Sequence, residues 1–263
     1  MSANQYATIR DVKYVEAMTR VVVVSAHLDD GVFSLGASIN AAARAGADVT
    51  VLTVLAGNPT SDEQAGAWDR AAGFQASGHA SASRRAEDAR ACAIVGAKAS
   101  WLPFGDNQYA RGGSDPEIRA RVAEEVSGAD LVLIPGLPLE HEDHLWLAHL
   151  LRGDLGARAV GEYVEQPYAA LSGVRPRGDC GWEGLSLPYI SIGAKHRAIG
   201  AYESQIPLLP VDSFATVRIA EARSRGETIR LRSGSRDAFD EVMGLLWPGR
   251  ARVVQVLAGR ASS

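Results

Sequence analysis

Apolar residues along this chain fall into short unbroken runs, separated by stretches with helical spacing. Val21–Ala26 (VVVVSA) is β-branched and continuous, which predicts a strand buried on both faces, as inside a parallel sheet. Over Ser34–Arg44 alanine and leucine recur at helical spacing, and Gly46 follows as a glycine does just past a helix end. Asp48–Leu55 (DVTVLTVL) predicts a second buried strand. Strand, helix and strand in this order form a βαβ unit.

Gly57–Ser83 is different: it is rich in Gly, Ala, Ser and Asp and has little apolar periodicity. It reads as a long loop, the usual form of a lid, a binding loop or a disordered insertion. Further on, the pattern predicts a helix over Arg84–Gly96, a short strand over Ser100–Pro103 and a helix over Asp115–Ser127. A strand over Asp130–Ile134 and a helix over Leu145–Arg152 follow. This alternation predicts an α/β fold: a Rossmann-like, doubly wound, mostly parallel sheet with helices on both faces. In the second half, Arg158–Val164 reads as a strand, Pro167–Pro188 as a Gly- and Pro-containing loop, and Ala194–Ser204 and Arg236–Leu246 as helices. Ala215–Glu221 and Arg252–Leu257 fit either strands or pieces of helix. No repeat and no clear linker divides the chain, so residues 1–263 are expected to form one domain.

Composition narrows the function. The chain is 46% hydrophobic and 22% charged, with a formal net charge of −4 and no long basic run. That argues against binding nucleic acid or an anionic membrane by charge. Two cysteines without a CxxC pairing support neither a disulfide framework nor a cysteine zinc knuckle, and suggest reduced thiols in a cytoplasmic protein. The first twenty residues lack the apolar core of a signal peptide, and no run is long enough to span a membrane.

Two segments carry chemistry. AHLDD (Ala26–Asp30) ends the first strand, where sheets of this kind bind ligands. Its His27, Asp29 and Asp30 would repel one another at a buried strand end unless a divalent cation relieved them. A plainer reading makes the aspartates caps of the next helix. HEDH (His141–His144) follows the strand Asp130–Ile134, and its two histidines, three apart, share one face of a helical turn. The plain reading here is an acidic helix start with exposed histidines. Three of the six histidines fall in these two segments, and both segments lie where an α/β sheet builds its site. A His, Asp, His set with an open fourth position is a catalytic zinc pattern.

AHLDD and HEDH resemble the AHPDD and HxDH signatures of the PIG-L, or LmbE-like, zinc N-deacetylases. RRAEDARACAIVG (Arg84–Gly96), LPFGDNQY (Leu102–Tyr109) and KHRAIGAYESQ (Lys195–Gln205) resemble further segments of that family in the same order. The resemblance places the core at about 20–205, with 206–263 completing the fold. Leu28, Gly31 and Ala37 depart from the family pattern, where Pro, an acidic residue and Gly are usual; none of these changes removes a ligand. The resemblance implies one Zn2+ per chain, with Fe2+ as an alternative metal, held by His27, Asp30 and His144. It makes Asp29 the general base and His141 the oxyanion stabiliser or the acid for the leaving amine, either of which an imidazolium could serve. Asp143 would orient a histidine. Arg84, Arg85, Asp106 and Trp68 are candidate substrate contacts, with Phe74 a possible companion of Trp68 in a lid. His79, His149 and His196 read as exposed or structural. Lys195, Ser204 and Gln205 carry no role derivable from their chemistry.

The implied function is removal of an N-acyl group from an amino sugar, pseudo-sugar or glycosylated metabolite, a small-molecule substrate; a homo-oligomer is open. An amidase acting on a larger acyl group or a thiol conjugate is the alternative within the same chemistry. A metal-free Rossmann-like binding protein is the alternative outside it, though GVFSLGAS matches GxGxxG poorly.

Overall fold

The computed structural model describes residues 19–176, 180–210, 227–248 and 251–252. One sheet of eight strands runs through it, in the order β3-β2-β1-β4-β5-β7-β6-β8. The first five strands in chain order are β1 (Arg20–Ser25), β2 (Asp48–Thr53), β3 (Lys98–Trp101), β4 (Leu131–Leu137) and β5 (Ala159–Val164), and all are parallel. The remaining three, β6 (Glu183–Gly184), β7 (Thr228–Gly234) and β8 (Ala251–Arg252), pair antiparallel. Helices cover both faces: α1 (Asp30–Arg44), α2 (Ala67–Ala71), α3 (Ser77–Val95), α4 (Asp115–Val126), α5 (Glu142–Leu150), α6 (Tyr168–Ser172), α7 (Tyr189–Ile199) and α8 (Arg236–Leu246).

The continuous apolar runs are buried on both sides, as their pattern predicts. Val21 and Val23 join a core with Phe33, Leu35, Cys92, Phe239 and Met243, beneath α1, α3 and α8. Val22 and Val24 face the other core, with Ile118, Val122 and Leu147 of α4 and α5. From β1 the chain builds outward through β2 to β3, then crosses back to place β4 on the other flank of β1. This reversal opens a crevice at the carboxyl ends of β1 and β4, the place where open α/β sheets bind ligands. Residues 27–30 and 141–144 leave those two strand ends, so the topology brings them together across more than a hundred positions.

Several predicted boundaries move. Helix α1 starts at Asp30, four residues before the predicted Ser34, because Val32 and Phe33 are core residues and extend its buried face. The expected Gly57–Ser83 loop contains α2 and the first two turns of α3. Sequence periodicity misses these turns because α3 packs through small residues. Ala80 is fully buried, and a Cβ on Gly78 would lie 2.4 Å from the Ser61 carbonyl oxygen. Similarly, α5 starts three residues before Leu145 and α7 five before Ala194, while the Pro167–Pro188 stretch holds α6 and β6. Strand β7 has no counterpart in the sequence reading. Its alternating TIRLRSG pattern is short, and Arg230 and Arg232 both pair with Glu162 of β5. Ala215–Glu221 and most of Arg252–Leu257 lie outside the described residues.

A buried acid sits under α3. Asp88 accepts from Trp101 Nε1 at 2.7 Å and from the Tyr202 hydroxyl at 2.8 Å. Burial pushes its carboxyl up to about 7, against those two hydrogen bonds. The unfolded group titrates near ~3.9. The folded state therefore holds this proton between about 4 and 7, and the contribution to stability falls as pH rises through that window. Asp88→Asn keeps an acceptor for Trp101 and a partner for Tyr202. It is expected to raise the melting temperature at pH 8 relative to wild type and to do so less at pH 5. An equal effect at both pH values would remove the assignment.

Candidate metal centre and adjoining cavity

The β1 end and the start of α1 place His27 and Asp30, and the N-terminus of α5 places His144. His27 Nδ1, His144 Nε2 and Asp30 Oδ2 form a near-equilateral triangle, with edges of 3.1 Å (between the two rings), 3.2 Å (His27–Asp30) and 3.1 Å (His144–Asp30). Ligand atoms held about 2.0–2.1 Å from one tetrahedral zinc lie roughly 3.3 Å apart. Two imidazole nitrogens and a carboxylate oxygen at this spacing fit a divalent cation.

Each histidine is oriented from behind. His27 Nε2 donates to Asp143 Oδ2 at 3.0 Å, and His144 Nδ1 donates to Glu165 Oε1 at 2.6 Å. Donation from the outer nitrogen turns the inner lone pair toward the triangle and fixes the tautomer. Asp143 is completely buried and also accepts from the Asn107 backbone N–H and from Arg111. Burial opposes its charge, but the bonds from His27 and Arg111 hold its carboxyl well below the usual range.

The site attracts positive charge. Burial opposes protonation of His27, yet Asp143 and Asp30 raise it to about 9. His144 is raised in the same way by Asp30 and Glu165, against its own burial. A divalent cation would meet the same field of carboxylates.

Asp29 and His141 flank the triangle. Asp29 occupies the cap position of α1 but makes no capping bond, so the plain helix-cap reading does not describe its side chain. Asp30 likewise turns back, accepting the His27 backbone N–H at 2.8 Å. Burial and the neighbouring Asp30 push the Asp29 carboxyl up to about 6, with Arg84, His27 and His144 pulling the other way. His141 caps α5, its Nδ1 accepting from the Asp143 N–H at 3.2 Å. Burial, His27 and His144 lower its pKa. It therefore stands as a neutral ring with its proton on Nε2, where the sequence reading allowed an imidazolium. The three histidines keep ring nitrogens within 4.8 Å of one another. Asp30 completes the tighter triangle and brings the negative charge a dication needs.

A cavity of about 380 Å³ adjoins the crevice through Leu28 and Asp106, on the β2 and β3 side. Arg84 and Asp106 line it, together with Asp69 and Tyr109. Arg84 is buried, pairs with Asp69 at 3.3 Å and leaves its Nε without a hydrogen bond among the described residues. Asp69 also accepts from the Tyr109 hydroxyl at 2.7 Å. Arg85 turns elsewhere: it donates to the carbonyls of Ala56 and Gly57 and lies 5.6 Å from the Trp101 ring centroid. Trp68 also stays off the cavity wall, with its indole N–H on Gln205 at 2.8 Å. Phe74 packs edge-on against the exposed His79, and His149 is exposed. His196 is half-buried on α7.

The segment Lys195–Gln205 acts as a brace. Lys195 is buried, donates to Glu227 at 2.7 Å and to the Ser34 carbonyl at 3.3 Å, and so ties α7 to α1, the helix that carries Asp30. Ser204 donates through N–H and hydroxyl to Glu87 of α3.

Glu165, Asp69, Arg111 and Tyr168 were not singled out from sequence. Glu165 had a signal: an acidic residue directly after a buried parallel strand. The other three are surrounded by ordinary loop and helix composition and become visible only through their partners. Glu165 also receives the N–H of Leu139, which sits at φ 58°. A left-handed leucine is strained by roughly 1–3 kcal/mol, and this bond holds it.

A family model described as PIG-L: GlcNAc-PI de-N-acetylase matches residues 22–152. No curated protein matches the chain significantly. Among solved structures, a deacetylase of the teicoplanin biosynthesis pathway is similar at 25% identity and TM-score 0.69, covering 83% of this chain and 100% of its own. A structure described as the zinc-inhibited form of teicoplanin deacetylase Orf2 aligns at 24% identity and TM-score 0.65, over 83% and 100%. The A40926 pseudoaglycone deacetylase Dbv21 aligns at 24% and 0.67, over 90% and 98%. The hydratase GalB of Pseudomonas putida, which acts on 4-carboxy-2-hydroxymuconate, aligns at 22% and 0.54, over 82% and 95%. The three matches under 25% identity show the fold alone, and the reaction must be argued from the site.

Proposed function

This chain belongs to the PIG-L, or LmbE-like, family, and from that premise we propose that it is a zinc-dependent hydrolase that removes an N-acetyl group from an amino sugar, pseudo-sugar or glycosylated metabolite. The observation that carries the proposal is the His27–Asp30–His144 triangle beside a polar cavity.

When bound, the cation supplies a lowered water pKa and a polarised acyl carbonyl. Asp29, whose carboxylate has no hydrogen-bond donor among the described residues, takes the proton of the attacking water. The same proton is then returned to the amine as the C–N bond breaks. His141 donates through Nε2–H to the carbonyl oxygen as negative charge gathers there. Asp143 and Glu165 keep His27 and His144 in the ligating tautomer. Arg84, Asp69 and Asp106 present forked donors and carboxylate acceptors to the hydroxyls of the sugar part. The cavity's carboxylates and hydroxyls favour such a polar substrate over a long apolar acyl chain. Among the described residues no helix is long and apolar enough to cross a membrane. A cytoplasmic setting and a single 263-residue domain belong to the same proposal.

The test is direct. Purified protein is expected to carry about one zinc per chain and to release acetate from N-acetylated sugars or glycosides in a screen. Protein without stoichiometric metal, and inactive after zinc or iron addition, would sink the reading.

A further inference from the structure

Four of the described tyrosines are buried or half-buried, and three of these place their hydroxyls on protein acceptors. Tyr163 donates to the Val24 carbonyl at 3.0 Å, Tyr202 to Asp88 at 2.8 Å and Tyr109 to Asp69 at 2.7 Å. Tyr168 is the fourth, and its hydroxyl has no hydrogen-bond partner among the described residues. It begins α6, immediately after β5, three positions beyond the Glu165 that grips His144. Its ring meets the His144 ring edge-on, with centroids 5.2 Å apart and an interplanar angle of 80°, and lies 6.4 Å from the His141 ring.

The sheet order places this ring. The cavity belongs to the β2 and β3 ends, the donor triangle to β1 and β4, and Tyr168 to β5. Tyr168 thus stands on the flank of the triangle away from the cavity. A phenol carries one O–H, which is available here to donate to a bound substrate.

We propose that Tyr168 is a further catalytic residue, whose ring packs against His144 and whose phenolic O–H, unpartnered among the described residues, donates a hydrogen bond to the acyl oxygen alongside His141. The inference rests on the deacetylase reading above. No covalent bond to Tyr168 forms and its proton is not transferred. The hydroxyl strengthens its hydrogen bond as the oxygen gains charge, which selectively stabilises the transition state.

Tyr168→Phe keeps the ring and its packing on His144. It is expected to retain metal and melting temperature, to leave KM within about threefold and to lower kcat by roughly 10²-fold, the size found for loss of one oxyanion donor. A second readout needs no turnover. In titration calorimetry of the zinc-loaded protein, acetohydroxamate and sodium acetate should bind about tenfold more weakly to the variant, the effect of one lost hydrogen bond of about 1.4 kcal/mol. Wild-type kcat and unchanged acetohydroxamate affinity in Tyr168→Phe would overturn the proposal. So would a loss in Tyr168→Met that Tyr168→Phe does not share, because that pattern assigns the effect to ring packing. Wild-type protein that holds metal and deacetylates while Tyr168→Phe does the same refutes the role of Tyr168 alone. Wild-type protein that does neither refutes the deacetylase reading, and this role falls with it.

Discussion

Asp29→Asn is expected to keep one metal ion per chain and to lower hydrolysis by about 10³- to 10⁴-fold, near the upper end for loss of a general base. The substitution is isosteric. The Asp29 side chain makes no capping bond in α1, so its replacement leaves the helix start intact. What disappears is the one carboxylate beside the triangle that, among the described residues, is not already committed: Asp30 is part of it, and Asp143 and Glu165 are engaged by His27 and His144. The pH dependence provides a second check. Burial and Asp30 raise the Asp29 carboxyl to about 6, and a base works only when ionised. Wild-type kcat/KM should therefore fall as pH drops through a midpoint at or below about 6, since a bound cation would draw that midpoint further down. The residual rate of the variant should lack this limb. Wild-type turnover by Asp29→Asn, with zinc content confirmed by metal analysis, would remove Asp29 from the reaction.

His144→Ala should cost the metal itself. It deletes one corner of the triangle and leaves two buried carboxylates, Asp30 and Glu165, facing each other without the imidazole between them. Removing one partner from a buried charged pair typically costs about 3–5 kcal/mol, so the melting temperature should fall as well. Zinc affinity, measured by competition with a chromophoric chelator, is expected to drop by more than about 10³-fold. Glu165→Gln gives the graded comparison. It keeps the ring but weakens its orientation, and losses of about 10- to 100-fold are typical of such supporting partners. Unchanged zinc content in His144→Ala would end the ligand assignment. Equal losses in both variants would mean that Glu165 is more than a support.

Much of the site was legible because its chemistry is concentrated. AHLDD and HEDH each pack several ionisable groups into four or five positions, and each follows a continuous apolar run. The runs read as buried parallel strands, and strand ends are where such sheets bind ligands. Arg84 and Arg85 show where this legibility stops. They are neighbours of identical chemistry on one helix, and a rotation of about 100° per residue decides that Arg84 lines the cavity while Arg85 clamps the Ala56–Gly57 turn. Helix α3 shows a different limit. Its first turns bury glycine, alanine and serine, which leave no hydrophobic period to read.

The sequence by itself determined the strand–helix order and the two ionisable clusters, which are local properties: side-chain period, spacing and composition within a dozen residues. Within those clusters, resemblance to the PIG-L family picked out His27, Asp30 and His144. The tertiary structure decided which atoms meet. It set the inner nitrogens of His27 and His144 within 3.1 Å of each other across 117 positions, put Asp143 behind one ring and Glu165 behind the other, and laid Tyr168 against the His144 ring. Those contacts depend on the reversal of strand order at β1 and β4, which follows from how the whole sheet packs between two layers of helices and is written in no single segment.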